Sequence, residues 1–128
     1  MDKKILVDRD IEEGKKLVQK LDEVNFELNG ALWFYIAEDE RWRLLLFSPL
    51  IDSKGLSHCY SIIQEILRKV PNDYSISLED VSLLSPKDQL FRLLRMAIRT
   101  GAGISTIRFT GNSINGVIIE DALIYRLI

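Results

Sequence analysis

Residues 31–47 form a stretch that cannot leave either of its faces in water. Ala31-Leu32-Trp33-Phe34-Tyr35-Ile36-Ala37 is aromatic and apolar, too short for a typical helix, and reads as a strand. Glu38-Asp39-Glu40-Arg41 makes a polar turn, and Trp42-Arg43-Leu44-Leu45-Leu46-Phe47 returns as a second strand. Ser48-Pro49 ends it, because proline has no amide hydrogen for a continuing ladder. A turn centred on Asp39 and Glu40 sets Ala37 opposite Trp42, Tyr35 opposite Leu44 and Trp33 opposite Leu46. The other surface then pairs Ile36 with Arg43, Phe34 with Leu45 and Leu32 with Phe47. A half-solvated sheet alternates apolar with polar residues, and this ribbon does not. Each face therefore needs a cover: helices on one, and another helix or a second copy of the protein on the other.

The flanking sequence supplies helices. Asp10-Ile11-Glu12-Glu13 has capping-box spacing, and Ile11, Leu17, Val18 and Leu21 recur at helical intervals, predicting a first helix over residues 10–23. Gly14 lies on the same side and marks a close approach. Residues 55–70 form a second helix with Cys59, Ile62, Ile63, Ile66, Leu67 and Val70 inward, stopped at Pro71. Residues 81–84 read as a short strand. Ser85-Pro86-Lys87-Asp88 is a start signal for a third helix reaching Thr100, released by Gly101 and Gly103. Strand composition returns in residues 104–110, with Ile107 and Phe109 on one side and Thr106 and Arg108 on the other. Gly111-Asn112 and Asn115-Gly116 are both turn signals, the second the better two-residue hairpin, and residues 117–119 and 122–128 follow, separated by Glu120-Asp121 as a turn or bulge. The expectation is one α+β domain over residues 1–128, in the order α-β-β-α-β-α-β-β. It has three helices packed on one side of a mostly antiparallel sheet.

Whole-chain properties narrow the class. At 128 residues there is room for one main core. With 17 Lys plus Arg against 19 Asp plus Glu, the chain is no general nucleic-acid coat. The single cysteine excludes an intrachain disulfide, and residues 1–8 are too weakly apolar for a secretory leader. Both point to a reducing cytoplasmic setting. No apolar run approaches a membrane span, so no membrane partner is expected.

Few residues suggest chemistry. His58 and Cys59 are helical neighbours pointing about 100° apart, so they cannot work as a base and nucleophile. Cys59 falls on the apolar stripe. With one histidine and one cysteine, the usual zinc sets are unavailable, and neither a metal nor a cofactor is expected. Glu79, Asp80, Glu120 and Asp121 could meet at sheet ends as metal-binding acids, but their spacing does not require it. Arg92, Arg95 and Arg99 recur along one face of the third helix, and Arg108 and Arg126 lie on sheet sequence nearby; together they could hold a phosphate or an acidic partner. The competing reading is a solvated face with arginine stems over apolar edges. Trp33, Tyr35, Trp42, Leu44 and Leu46 share one surface of the ribbon. It lacks the interleaved basic residues of a base-stacking platform, so burial under helices or across a subunit contact fits better.

No phosphate loop or nucleophile elbow is present. The leading expectation is a non-enzymatic interaction module (an adaptor, chaperone-like or regulatory subunit) that forms a homodimer. Its interaction surface is Trp33, Tyr35, Trp42, Leu44 and Leu46, and its partner is itself or another protein. The alternative is nucleic-acid or phosphate-ligand binding through the arginines. The small, acidic α+β outline resembles secretion-chaperone-type proteins in shape and composition, with no motif carrying the likeness.

Overall fold

In the computed structural model, which describes residues 3–128, the apolar ribbon is the middle of a five-stranded sheet. The N-terminal stretch weighed above as a leader therefore begins, with Met1 and Asp2, outside the described residues. Strands β1 (Gly30–Ile36) and β2 (Arg41–Phe47) pair antiparallel, with Tyr35 opposite Trp42, Trp33 opposite Leu44 and Leu32 opposite Leu45. This register lies two residues from the expected one. The turn is longer than two residues, with Glu40 in the left-handed region at φ 50°. An even slip leaves every side chain on its expected face, because the strand repeat is two residues.

The chain continues through α2 (Leu50–Lys54), α3 (Leu56–Arg68), β3 (Val81–Leu84), α4 (Gln89–Ala97), β4 (Ile107–Ile114) and β5 (Val117–Leu127), after α1 (Asp8–Glu23) at the start. The sheet order is β3-β2-β1-β5-β4. β3 runs parallel to β2, so the sheet is mixed rather than purely antiparallel. Among the described residues there are four α-helices where three were expected. The second predicted helix is α3; the additional one is the short α2, which follows Pro49 directly and is separated from α3 by Gly55 at φ 88°, a backbone conformation that a side chain would strain.

The helices lie on both faces, not on one. Leu17, Val18 and Leu21 of α1 and Cys59, Ile63 and Ile66 of α3 share a core with Ala31, Trp33, Trp42, Leu44, Leu46 and Tyr125. Phe91 and Leu94 of α4 pack on the reverse with Leu32, Leu45, Phe47 and Ile124. Each fully buried large apolar side chain contributes about 1.5–3 kcal/mol. The chain's own helices thus exclude water from both sides of the ribbon, and a second copy is not needed for that purpose.

Polar struts fix α1 on the sheet. The Trp33 indole donates to the Tyr125 hydroxyl at 3.0 Å, which donates to the Ile11 carbonyl at 2.6 Å. This bridge runs where a Gly14 side chain would stand: a Cβ there would lie 2.8 Å from the indole nitrogen and closer still to the Tyr125 hydroxyl. The expected capping box shifts by three residues. Val7 is the cap, and Asp10 in the first turn accepts its amide at 3.0 Å. Asp10 also accepts from Lys3 and Ser75, both at 2.8 Å, and Glu13 accepts from the Ser75 and Ile76 amides. These two buried carboxylates tie α1 to the segment before β3.

Candidate functional site

The sheet frays at one end, and a cleft opens there. β1 pairs with β5 only as far as Phe34 opposite Ala122, so residues 117–121 of β5 continue with β4 alone as a two-stranded ribbon. Gly111, at φ 61°, kinks the middle of β4. Phe109 and Ile114 both pack toward α4, although strict alternation would put them on opposite faces, and the kink absorbs that change. On the other side of the sheet the N-terminal segment crosses back, its Lys3 carbonyl taking the Trp42 amide at 2.6 Å.

Between these two borders lies a cleft of about 380 Å³ lined by Lys4, Tyr35, Trp42, Arg108, Glu120 and Asp121 among others. Tyr35 and Trp42 form its aromatic floor, with ring centroids 5.5 Å apart and tilted by 59°. The Arg108 guanidinium stands 5.5 Å from the Trp42 ring centroid. Asp121 grips it with both oxygens at 2.7 Å and accepts from Thr110 at 3.1 Å. The hydrogen bond from Arg108 is the main reason the Asp121 carboxyl sits below its ordinary range, against the opposing effect of burial. The same bond raises Arg108. This pair is saturated. Lys4 and Glu120 are exposed and make no ion pair among the described residues.

The cleft gathers residues that sequence reasoning had placed in three unrelated groups: Tyr35 and Trp42 from the aromatic surface, Arg108 from the arginines, and Glu120 and Asp121 from the acids. Lys4, half of the N-terminal positive pair, is tied to this site only by proximity in the fold. The rest of each group disperses. Trp33, Leu44 and Leu46 are fully buried under α1 and α3, and Trp42 is nearly so, which removes that set as an interaction surface.

The arginines do not converge. α4 ends at Ala97, so Arg99 lies beyond it, exposed like Arg92 on the helix itself. Arg95 lies half-buried over the Phe91 ring at 5.5 Å. Arg108 is on the opposite face of the sheet from α4, in the cleft. Arg126 is buried, donating to both Asp22 oxygens at 3.0 and 2.8 Å and to the Gly103 carbonyl. A bulge between β1 and β5 at Ala31/Leu32 turns Arg126 toward α1, next to its neighbour Tyr125.

The acids are likewise separated. Asp80 is buried, accepting the Ser77 amide at 3.0 Å with Arg41 at 4.0 Å, while Asp121 is held by Arg108. Among the described residues no cluster of three His, Cys, Asp or Glu side chains could hold a metal ion. Cys59 is buried in the helix–sheet core, and desolvation raises its thiol pKa. Among the described residues no helix is long and apolar enough to cross a membrane.

No family model, curated protein or solved structure matches the chain. The class that the fold defines is a mixed-sheet α+β domain with helices on both faces.

Proposed function

We propose that the chain is a non-enzymatic interaction module that works as a homodimer, joined by antiparallel pairing of β4 with β4 of a second copy. The observation that carries this reading is the open outer edge of β4. It is eight residues long and flanks the sheet, and none of its backbone groups bonds outside its own hairpin among the described residues. Sheet edges are ordinarily protected by shortness, lysine or proline. β3, the other edge, has four residues and is short enough to be protected. β4 contains neither lysine nor proline, its kink at Gly111 leaves the pairing with β5 in one unbroken register, and its one charge, Arg108, is neutralised by Asp121.

Beyond Ala122 the β4–β5 ribbon stands without a third strand, a state of marginal stability in water. α4 covers one side of it through Ile114 and Ile119, while Ile118 on the tip is 72% exposed and Val117 48%. Two-fold pairing centred between Thr110 and Gly111 would set Arg108 against Ser113, so that no like charges meet. The arginine-patch alternative has less support, because two of its five members are engaged by carboxylates and the others do not form one surface.

Light scattering during size exclusion tests the proposal on the wild type and on a variant carrying Asn112→Lys and Ser113→Lys. Both positions are exposed on the edge strand, and the second substitution would set a lysine against Arg108 of the other copy. The expected result is a dimeric wild type and a monomeric variant with an unchanged circular-dichroism spectrum. A monomeric wild type, or a variant that stays dimeric, would overturn it.

A further inference from the structure

We propose that the cleft between the N-terminal segment and the β4–β5 ribbon binds a small zwitterion with an apolar body, of the amino-acid or dipeptide class. The inference is independent of dimerisation. It starts from the balance of charge in the cleft. Arg108 and Asp121 satisfy each other through two bonds of 2.7 Å, and Thr110 occupies part of what remains of Asp121. Neither is left to recruit an ion from solution.

The remaining charges are one of each sign. Lys4 enters from the segment tied to β2, and Glu120 enters from β5. The segment lies on the outer side of β2, so β2 and β1 both stand between it and β5, and the two backbones are roughly 14 Å apart at the ordinary strand spacing, a gap that the Lys4 and Glu120 side chains narrow from either side. A ligand with an ammonium group for Glu120 and a carboxylate for Lys4 would satisfy both. A simple cation or anion would satisfy one and meet repulsion from the other.

The space between them is floored by the tilted Tyr35 and Trp42 rings, and the Tyr35 hydroxyl has no hydrogen-bond partner among the described residues. Trp42 is itself buried beneath Arg108, so an apolar side chain would rest on the Tyr35 ring and on Ile5 and Leu6 of the N-terminal segment, and the hydroxyl can serve the ligand's polar backbone. About 380 Å³ lies at the small end of ligand-binding cavities, enough for an amino acid or a dipeptide. A phosphorylated ligand of similar size would place its charge beside Glu120 and Asp121, which disfavours that class.

Nuclear magnetic resonance titration of the intact protein provides the test, read at the Trp42 indole and the Tyr35 amide. The probes are L-phenylalanine and L-alanyl-L-phenylalanine, against N-acetyl-L-phenylalanine, which lacks the ammonium, and L-phenylalaninamide, which lacks the carboxylate. At least one zwitterion is expected to bind about tenfold more tightly than either blocked compound, as suits charge-assisted bonds at both ends. Glu120→Gln should abolish the discrimination against the acetylated compound, and Lys4→Ala that against the amide. Both side chains are exposed, so the fold should tolerate their loss. Absence of shifts at about 10 mM probe, far above a useful affinity, would overturn the proposal. Equal binding of blocked and unblocked compounds would do the same.

Discussion

Replacing Gly14 by alanine should destabilise the protein, although the same change in most helices does the reverse. In an exposed helix interior, Gly→Ala gains about 1 kcal/mol from propensity. Here the added methyl would lie 2.8 Å from the Trp33 indole nitrogen and press on the Tyr125 hydroxyl, neither of which is the loose end of a flexible side chain. Trp33 and Tyr125 are fully buried, so they can move only by displacing α1. Overpacking of this kind costs about 1–3 kcal/mol. Parting the indole from the hydroxyl would leave a buried donor unpaired, at a further cost of about 1–3 kcal/mol. The net expectation is a loss on the order of 3 kcal/mol, which at a urea m-value of about 1.5 kcal/mol/M moves the midpoint down by about 2 M. Tyr125→Phe removes the crowded oxygen, so the double variant should be more stable than the two single losses predict, with a coupling of at least about 1 kcal/mol. A Gly14→Ala protein as stable as wild type, or more so, would refute the reasoning.

Two further outcomes follow from buried groups. Burial alone would raise the Asp10 carboxyl, but the bonds from Lys3, the Val7 amide and Ser75 hold it below the ordinary range. Its folded value is thus lower than its unfolded one of about 3.9, so its stabilisation is present above that pH and is lost as pH falls through the folded value. Urea titrations of wild type and Asp10→Asn should differ most near neutrality and draw together in acid; a gap independent of pH would contradict this. Burial raises the Cys59 thiol, so a disulfide reagent at neutral pH should react slowly with the native protein and rapidly in urea. Fast native labelling would place the thiol at the surface.

The features legible in the sequence were those set by short periods. Alternation in residues 31–47 assigned each side chain to its face even though the turn, and with it the register, was misjudged by two residues. Gly14 on an apolar helix stripe marked a close approach, and Trp33 and Tyr125 are what approaches. Helix ends were harder to place. Ser85-Pro86 looked like a start, yet Asp88 is the residue that caps α4 by accepting the Leu90 amide, and the helix stops before Arg99. Three arginines at helical spacing therefore do not share a helix. Arg126 lies on sheet sequence like Arg108, but the bulge against Ala31/Leu32 and its pairing with Asp22 take it to α1 and away from the other arginines. The cleft was illegible for a different reason: its residues come from the N-terminal segment and from β1, β2, β4 and β5, and only the sheet order brings them together.

Hydrogen–deuterium exchange along β4 tests most directly whether a second copy closes that edge. In wild type at high concentration, the outward amides of residues 107–114 should exchange more slowly than in the Asn112→Lys, Ser113→Lys variant, while amides around Trp33 and Tyr125 stay equally protected in both. Identical exchange along β4 in the two proteins would mean that the edge faces solvent and pairs with nothing.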